Sequence, residues 1–116
     1  MKTFRELIVW QKSIELTKAI YVITKKLPRE EMFGLSSQLQ RAAVSIPSNI
    51  AEGSKRHGSK EFVQFCAIAK GSAAEIETQL ILCEQIYKVD IQHVMEQLNE
   101  VQKMLEGLCK SLKTTN

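Results

Sequence analysis

Residues 35–53 read LSSQLQRAAVSIPSNIAEG, and this stretch decides the fold. Placed on a helix at about 100° per residue, it separates into two opposed faces. Leu35, Leu39, Ala42, Ala43, Ile46 and Ile50 fall on one side; Gln38, Arg41, Ser45, Ser48 and Glu52 fall on the other. Pro47 interrupts the pattern. Proline has no N–H to give to the carbonyl of Ala43, and its ring bends the axis, so one bent helix with Pro47 at the bend is expected. Ser45, Ser48 and Asn49 can satisfy the freed backbone groups. Val44, Pro47 and Ala51 are apolar but lie outside the main core face. Either the core stripe is wide or this flank meets a second packing partner, and the pattern alone leaves both open.

Upstream, Thr3 and Glu6 have capping-box spacing, so helix 1 is expected to begin just after Thr3 and run to about Lys26. Leu7, Trp10, Ile14 and Tyr21 mark one stripe on it, and Val9, Leu16, Ile20, Ile23 and Leu27 another. Lys25 and Lys26 suit the negative end of the helix dipole, and Pro28 stops the helix. Residues 29–34 form a short connection in which Phe33 is expected to fold back onto the bundle end.

Downstream, GSKRHG at residues 53–58 is the clearest break, and it opens the densest basic cluster: Lys55, Arg56, His57 and then Lys60. Ser59 is the expected N-cap of helix 3. Phe62, Phe65, Cys66, Ala69, Ala73, Ile76, Leu80, Cys83 and Tyr87 then recur at steps of three and four. Gly71, Ser72, Ala73 and Ala74 thin the middle of that helix, which allows a neighbour to approach closely. A glycine inside a helix costs about 1 kcal/mol against alanine, so a packing reason for Gly71 is expected. Lys88 and Val89 make a tight turn, and Asp90 caps helix 4. There Ile91, Val94, Leu98, Val101, Leu105, Leu108 and Leu112 keep a sustained core stripe. Residues 113–116 read as a frayed tail.

Four helices with three short connections predict an all-α fold, an antiparallel up-down-up-down four-helix bundle. The 116 residues suit a single domain spanning 1–116. No segment alternates with period two between turn residues, so no strand is expected. No apolar run approaches the roughly 18 residues needed to cross a bilayer. The opening MKTFRELIVWQK lacks a signal-peptide core because Arg5, Glu6 and Lys12 break it, and a cytoplasmic location is expected. Net charge is +3, mildly basic and short of the large excess of a dedicated nucleic-acid binder.

Motifs for chemistry are missing. Cys66, Cys83 and Cys109 form no CxxC pair and sit at apolar helical positions, so they read as buried reduced thiols rather than a metal or disulfide framework. His57 and His93 have no cysteine at ligand spacing. The nearest approach to the Glu-x-x-His of a di-iron bundle is Asp90-Ile91-Gln92-His93, which reads as a cap followed by a solvent residue. Glu75 and Glu77 diverge on a helix. There is no GxSxG, HExxH or glycine-rich phosphate loop, and no histidine stands in a relation to Ser72 that suggests a base. The expectation is a protein that is not an enzyme and uses no metal or cofactor.

FRELIVWQKS near the start, LPREEMFGLSSQLQRAAVSIPSNIAEGSKR in the middle, and the IAxGSxxE pattern at residues 68–75 together resemble one family. It is the 23S ribosomal RNA intervening-sequence protein family, also called the four-helix bundle protein family. The resemblance runs from Phe4 to about Leu112. It implies a four-helix bundle that assembles as a homopentamer. Some members are encoded within sequences inserted into bacterial 23S rRNA genes, and many others are not. A related protein, the accessory variability determinant of diversity-generating retroelements, is a basic pentamer that binds nucleic acid and a reverse transcriptase. The family has no established catalytic activity.

Two readings of function follow. One is a nucleic-acid-associated oligomer, binding RNA or DNA, with Arg41, Lys55, Arg56 and Lys60 as the contacts. The other is a protein-interaction scaffold whose basic loop is only solvated surface, with a reverse transcriptase as a partner by analogy. In either case Arg41, Val44, Ser45, Pro47, Ala51 and Glu52 are the expected residues of the contact between subunits.

Overall fold

The structure, a computed structural model, describes residues 3–114. The described chain forms α1 (Ile8–Thr24), α2 (Leu35–Ser54), α3 (Ser59–Tyr87) and α4 (Gln92–Lys113), with 3-10 turns at Phe4–Glu6 and Arg29–Glu31. No strand occurs among the described residues. Pairs of contacting residues fix the helix directions. Thr17 meets Ala43 and Thr24 meets Gln40, so α1 and α2 are antiparallel. Ser45 meets Ser72 while Gly53 abuts Phe62 and Phe65, so α2 and α3 are antiparallel. Lys70 pairs with Glu106 and Glu77 accepts from Gln102, which runs α4 against α3. Lys12 reaches Glu100, which brings α1 beside α4. The result is an all-α, up-down-up-down four-helix bundle measuring 47 × 23 × 20 Å.

The interior stripe of each helix makes the core. Leu16, Ile20, Leu39, Ile46, Ile50, Ile76, Leu80, Leu98 and Leu105 are completely buried. Each aliphatic side chain of this size stabilises the fold by about 1.5–3 kcal/mol through burial. On α1 the stripe through Val9, Leu16, Ile20, Ile23 and Leu27 is the core one. Leu7, Trp10 and Ile14 are half-buried and Tyr21 is exposed.

α2 continues as one helix through Pro47, whose ring is buried inside the subunit. The Ala43 carbonyl that Pro47 cannot reach lies 3.2 Å from the Thr17 hydroxyl of α1. That hydroxyl is nearer Ser13 O, at 2.7 Å, so its single proton is shared between two acceptors with Ser13 favoured. None of the three residues expected to meet the Ala43 carbonyl does so: Asn49 Nδ2 donates to Ser45 O at 2.8 Å, Ser45 Oγ bonds Ser72, and Ser48 is exposed.

Several local expectations are corrected. The capping box of Thr3 and Glu6 is present, but it closes a 3-10 turn; Leu7 is extended, so α1 begins only at Ile8 and ends at Thr24. Phe33 does not fold back; it is 92% exposed. Gly58, at φ +90°, takes the cap position of α3, and Ser59 is its first helical residue. A side chain at that φ would be strained, which is why glycine stands there. Asp90 Oδ1 does accept the Gln92 N–H, at 3.0 Å, but Ile91 takes the cap position of α4, one residue after Asp90. Lys88 closes α3 in the left-handed conformation, with Val89 N–H bonded back to Cys83 O. Gly71 is exposed, and a Cβ there would meet nothing within 4 Å, so no packing reason for it exists within the subunit.

Candidate functional site

The antiparallel order gathers basic residues at one end of the rod. Lys55, Arg56, His57 and Lys60 occupy the α2–α3 connection and the first turn of α3, all exposed. Cys66 of α3 lies level with Leu105 of α4, 3.7 Å from its carbonyl. Continuing both helices from that level brings the last turn of α4, with Lys110 and Lys113, beside the first turn of α3. The sequence reading missed these two lysines, because their proximity comes only from the antiparallel packing. Their 3.6-residue phase against the core stripe was the available signal.

Arg56 is partly engaged by its own subunit. Its guanidinium pairs with Glu52 at 2.8 Å and lies 4.9 Å from the centre of the Phe65 ring. An exposed pair one helical turn apart contributes about 0.3–0.5 kcal/mol and an exposed cation–π contact about 0.5–1 kcal/mol. That tether is weak enough for a phosphate to replace. Arg41 is elsewhere. It sits on α2 fourteen positions before Lys55, about 21 Å along the axis, so the structure does not bring it to the basic loop.

Arg41 instead lines a cleft between α2 and α3, of about 360 Å³, with Gln38, Ala42, Ser45, Ser72, Glu75 and Gln79. Ser45 and Ser72 share a hydrogen bond of 2.8 Å across it, and Asn49 Nδ2 lies 2.9 Å from Ser45 Oγ. Gln79 is 8% exposed, and its Oε1 has no hydrogen-bond partner. RAAVSIPSNIAEG and IAxGSxxE, two of the segments that carry the resemblance, thus face each other here. Of the remaining residues expected between subunits, Val44 and Glu52 are exposed, Ala51 is half-buried and Pro47 is buried in its own subunit.

The titratable groups point to structure more than chemistry. Burial first, then the neighbouring Cys109 thiol, pushes the Cys66 thiol far above its ordinary value, and burial raises Cys83. All three cysteines are free and buried, which leaves none of them accessible as a nucleophile. The hydrogen bond to Glu31 is the main cause that pushes Tyr87 up to about 12. The same bond, with the Leu35 N–H, holds Glu31 below its usual range. This contact ties the end of α3 to the α1–α2 connection. Lys70 and Glu106 each stabilise the other's charge. Among the described residues no cluster of His, Cys, Asp or Glu is placed to hold a metal. No helix of the described chain is long and apolar enough to cross a membrane.

The class of protein defined here is a small four-helix bundle with a basic end and a polar cleft between its second and third helices. Residues 5–107 match the family described as "23S rRNA-intervening sequence protein". The chain belongs to that family. A solved structure from Bacteroides thetaiotaomicron, described as a protein with unknown function from the S23 ribosomal protein family, is similar throughout. It superposes with a TM-score of 0.78 at 27% identity, covering 89% of this chain and 96% of that one. No curated protein matches.

Proposed function

We propose that this chain is the subunit of a homo-oligomer, a ring of five by family resemblance, that associates with nucleic acid through its basic end and carries out no catalysis. A bacterial, cytoplasmic setting belongs to the same reading. The observation that carries it is the gathering of Lys55, Lys60, Lys110 and Lys113 at one end of the rod. One subunit presents too few cations to hold a phosphate backbone firmly. A ring repeats them, and Arg56 joins on release from Glu52. Such contacts position a backbone and read no bases, so binding is largely independent of sequence.

The test is fluorescence anisotropy against duplex DNA and a structured RNA over a range of salt. The affinity should fall with a log–log slope of about −0.9 per phosphate contact on the duplex. Lys55→Glu with Lys60→Glu should abolish binding at low salt. Wild-type protein that binds neither probe at low salt would leave the second reading, a protein-interaction scaffold with a reverse transcriptase among the candidate partners. The engagement of Arg56 by Glu52 and Phe65 is the observation that favours that second reading.

A further inference from the structure

The turn into α2 holds donors that nothing else in the subunit engages. Ser36, in the first turn of α2, is 8% exposed, and its hydroxyl has no hydrogen-bond partner among the described residues. That hydroxyl is not sealed in. Among the described residues, the unpartnered side-chain atoms shut off from solvent are Gln79 Oε1 and Gln97 Oε1. Ser36 instead lines an open hollow of about 270 Å³ where the end of α1 meets the start of α2.

The rest of the hollow is rich in donors. Lys25 and Arg29 line it, both exposed, and neither is ion-paired with a described residue. Gln40 Nε2, on the same lining, gives one of its two hydrogens to Thr24 Oγ1 at 3.0 Å and keeps the other. The start of α2 adds backbone donors. Glu31 accepts the Leu35 N–H and Gly34 O accepts that of Gln38, which leaves the N–H groups of Ser36 and Ser37 without a carbonyl. No carboxylate lines the hollow, and Glu31 beside it is engaged by the Tyr87 hydroxyl and the Leu35 N–H.

Cationic and neutral donors around one hollow without an acid suit a ligand whose polar atoms only accept. A carboxylate presents two oxygens in one plane, whereas a phosphate group presents three, spread in space. We propose that this hollow binds the phosphate group of a small phosphate monoester. Arg29 and Lys25 neutralise its charge, and the Ser36 hydroxyl and N–H bond its oxygens at the positive end of α2. Leu27, Pro28 and Met32, on the same lining, give the organic part of the ligand an apolar wall. The site is distinct from the basic end of the rod: Ser36 stands nineteen positions before Lys55, about 28 Å along the α2 axis. A nucleic acid at that end and a small phosphate ester at this one do not compete, and the site stands whether or not the chain assembles.

Amide NMR of the full chain, titrated with inorganic phosphate and separately with phenyl phosphate at constant ionic strength, tests this. The Ser36 and Ser37 amides should shift and saturate in both titrations, with phenyl phosphate the tighter, and should not shift with matched sodium chloride. Ser36→Ala removes a hydroxyl that bonds nothing in the subunit, so helix content by circular dichroism should be unchanged while phenyl phosphate binding weakens by about tenfold. Arg29→Gln, at an exposed position, should weaken it as much. Ser36 and Ser37 amides that do not saturate at tens of millimolar of either anion would overturn the site, as would wild-type affinity in both variants. Phenyl phosphate binding no tighter than inorganic phosphate would overturn the monoester as its ligand.

Discussion

At Gly53 α2 lies close against α3, and adding one carbon there should be costly. A Cβ at this position would lie 2.7 Å from Phe62 Cδ1, 2.8 Å from Phe65 Cβ and 3.1 Å from Phe62 Cε1. The Phe62 ring can swing aside. The Phe65 Cβ cannot, because it is fixed to the α3 backbone, so the two helices must part by some tenths of an ångström. Overpacking of this kind costs about 1–3 kcal/mol. Against it stands the helix-propensity gain of alanine over glycine, at most about 1 kcal/mol and less near a helix end. Gly53→Ala should therefore be destabilising by about 1 kcal/mol, lowering the urea midpoint by about 0.5 M at the slopes of small proteins. Gly107 provides the opposite case. It is exposed inside α4 with nothing within 4 Å of a built Cβ, so Gly107→Ala keeps the propensity gain and should raise the midpoint. Urea melts of both variants by circular dichroism at one protein concentration read the two signs. A Gly53→Ala protein as stable as the wild type would refute the close packing of α2 on α3.

In Tyr21→Phe protein, which leaves Tyr87 as the remaining tyrosine, phenolate absorbance should titrate with a midpoint near 12. The Tyr87 proton is held by the fold, so this contribution to stability is complete below the ordinary value of 10.0 and is lost as pH rises towards 12. Glu31 has the opposite sign: its contribution is present above 4.5 and is lost as acid protonates it, so Glu31→Gln should flatten the acid limb of a stability–pH curve. The three thiols should react with a disulfide reagent only at the rate of unfolding; fast labelling of the folded protein would show that the core around Cys66 and Cys109 opens locally. Where sedimentation shows the same assembly as the wild type, Arg41→Glu should leave the salt slope of nucleic-acid binding unchanged, because Arg41 lies about 21 Å from the basic loop; a shallower slope in equally assembled protein would place it among the phosphate contacts.

Helix number, direction and core faces were legible because they depend on periodicity, and periodicity is local. The α2 pattern survives Pro47 for the same reason: one missing N–H does not change which side of the helix is apolar. What failed was set by neighbours in space. Gly71 looked like a packing site because glycine in a helix usually needs a reason, yet within the subunit the close approach is at Gly53, near the end of α2. Phe33 reads as core by residue type, but the short connection after Pro28 leaves it in solvent. Capping boxes show where a turn begins and not how many residues it keeps, so Thr3 closed a 3-10 turn and α1 started later. For the candidate site, the basic loop was visible as a run of residues. Lys110 and Lys113 were not, since one helix had to be laid against another to bring them there.

The seams between helices are unequal in a way that bears on how the chain reaches this state. Three of them join helices consecutive in sequence, through short connections, residues 25–34, 55–58 and 88–91. The fourth, between α1 and α4, is the thinnest, and its partners stand at opposite ends of the chain. Loops of this length close quickly, and topologies rich in sequence-local contacts fold in microseconds to milliseconds. The α1–α4 seam is expected to close last, after the longest chain loop has been drawn in, and to give way first when the native state fluctuates. Its amides should exchange with solvent sooner than those facing α2–α3. A bundle that breathes along that line exposes an open edge of two helices, which another molecule's α1 or α4 can enter. Exchange of a terminal helix between molecules is thus the misassembly route this topology leaves open.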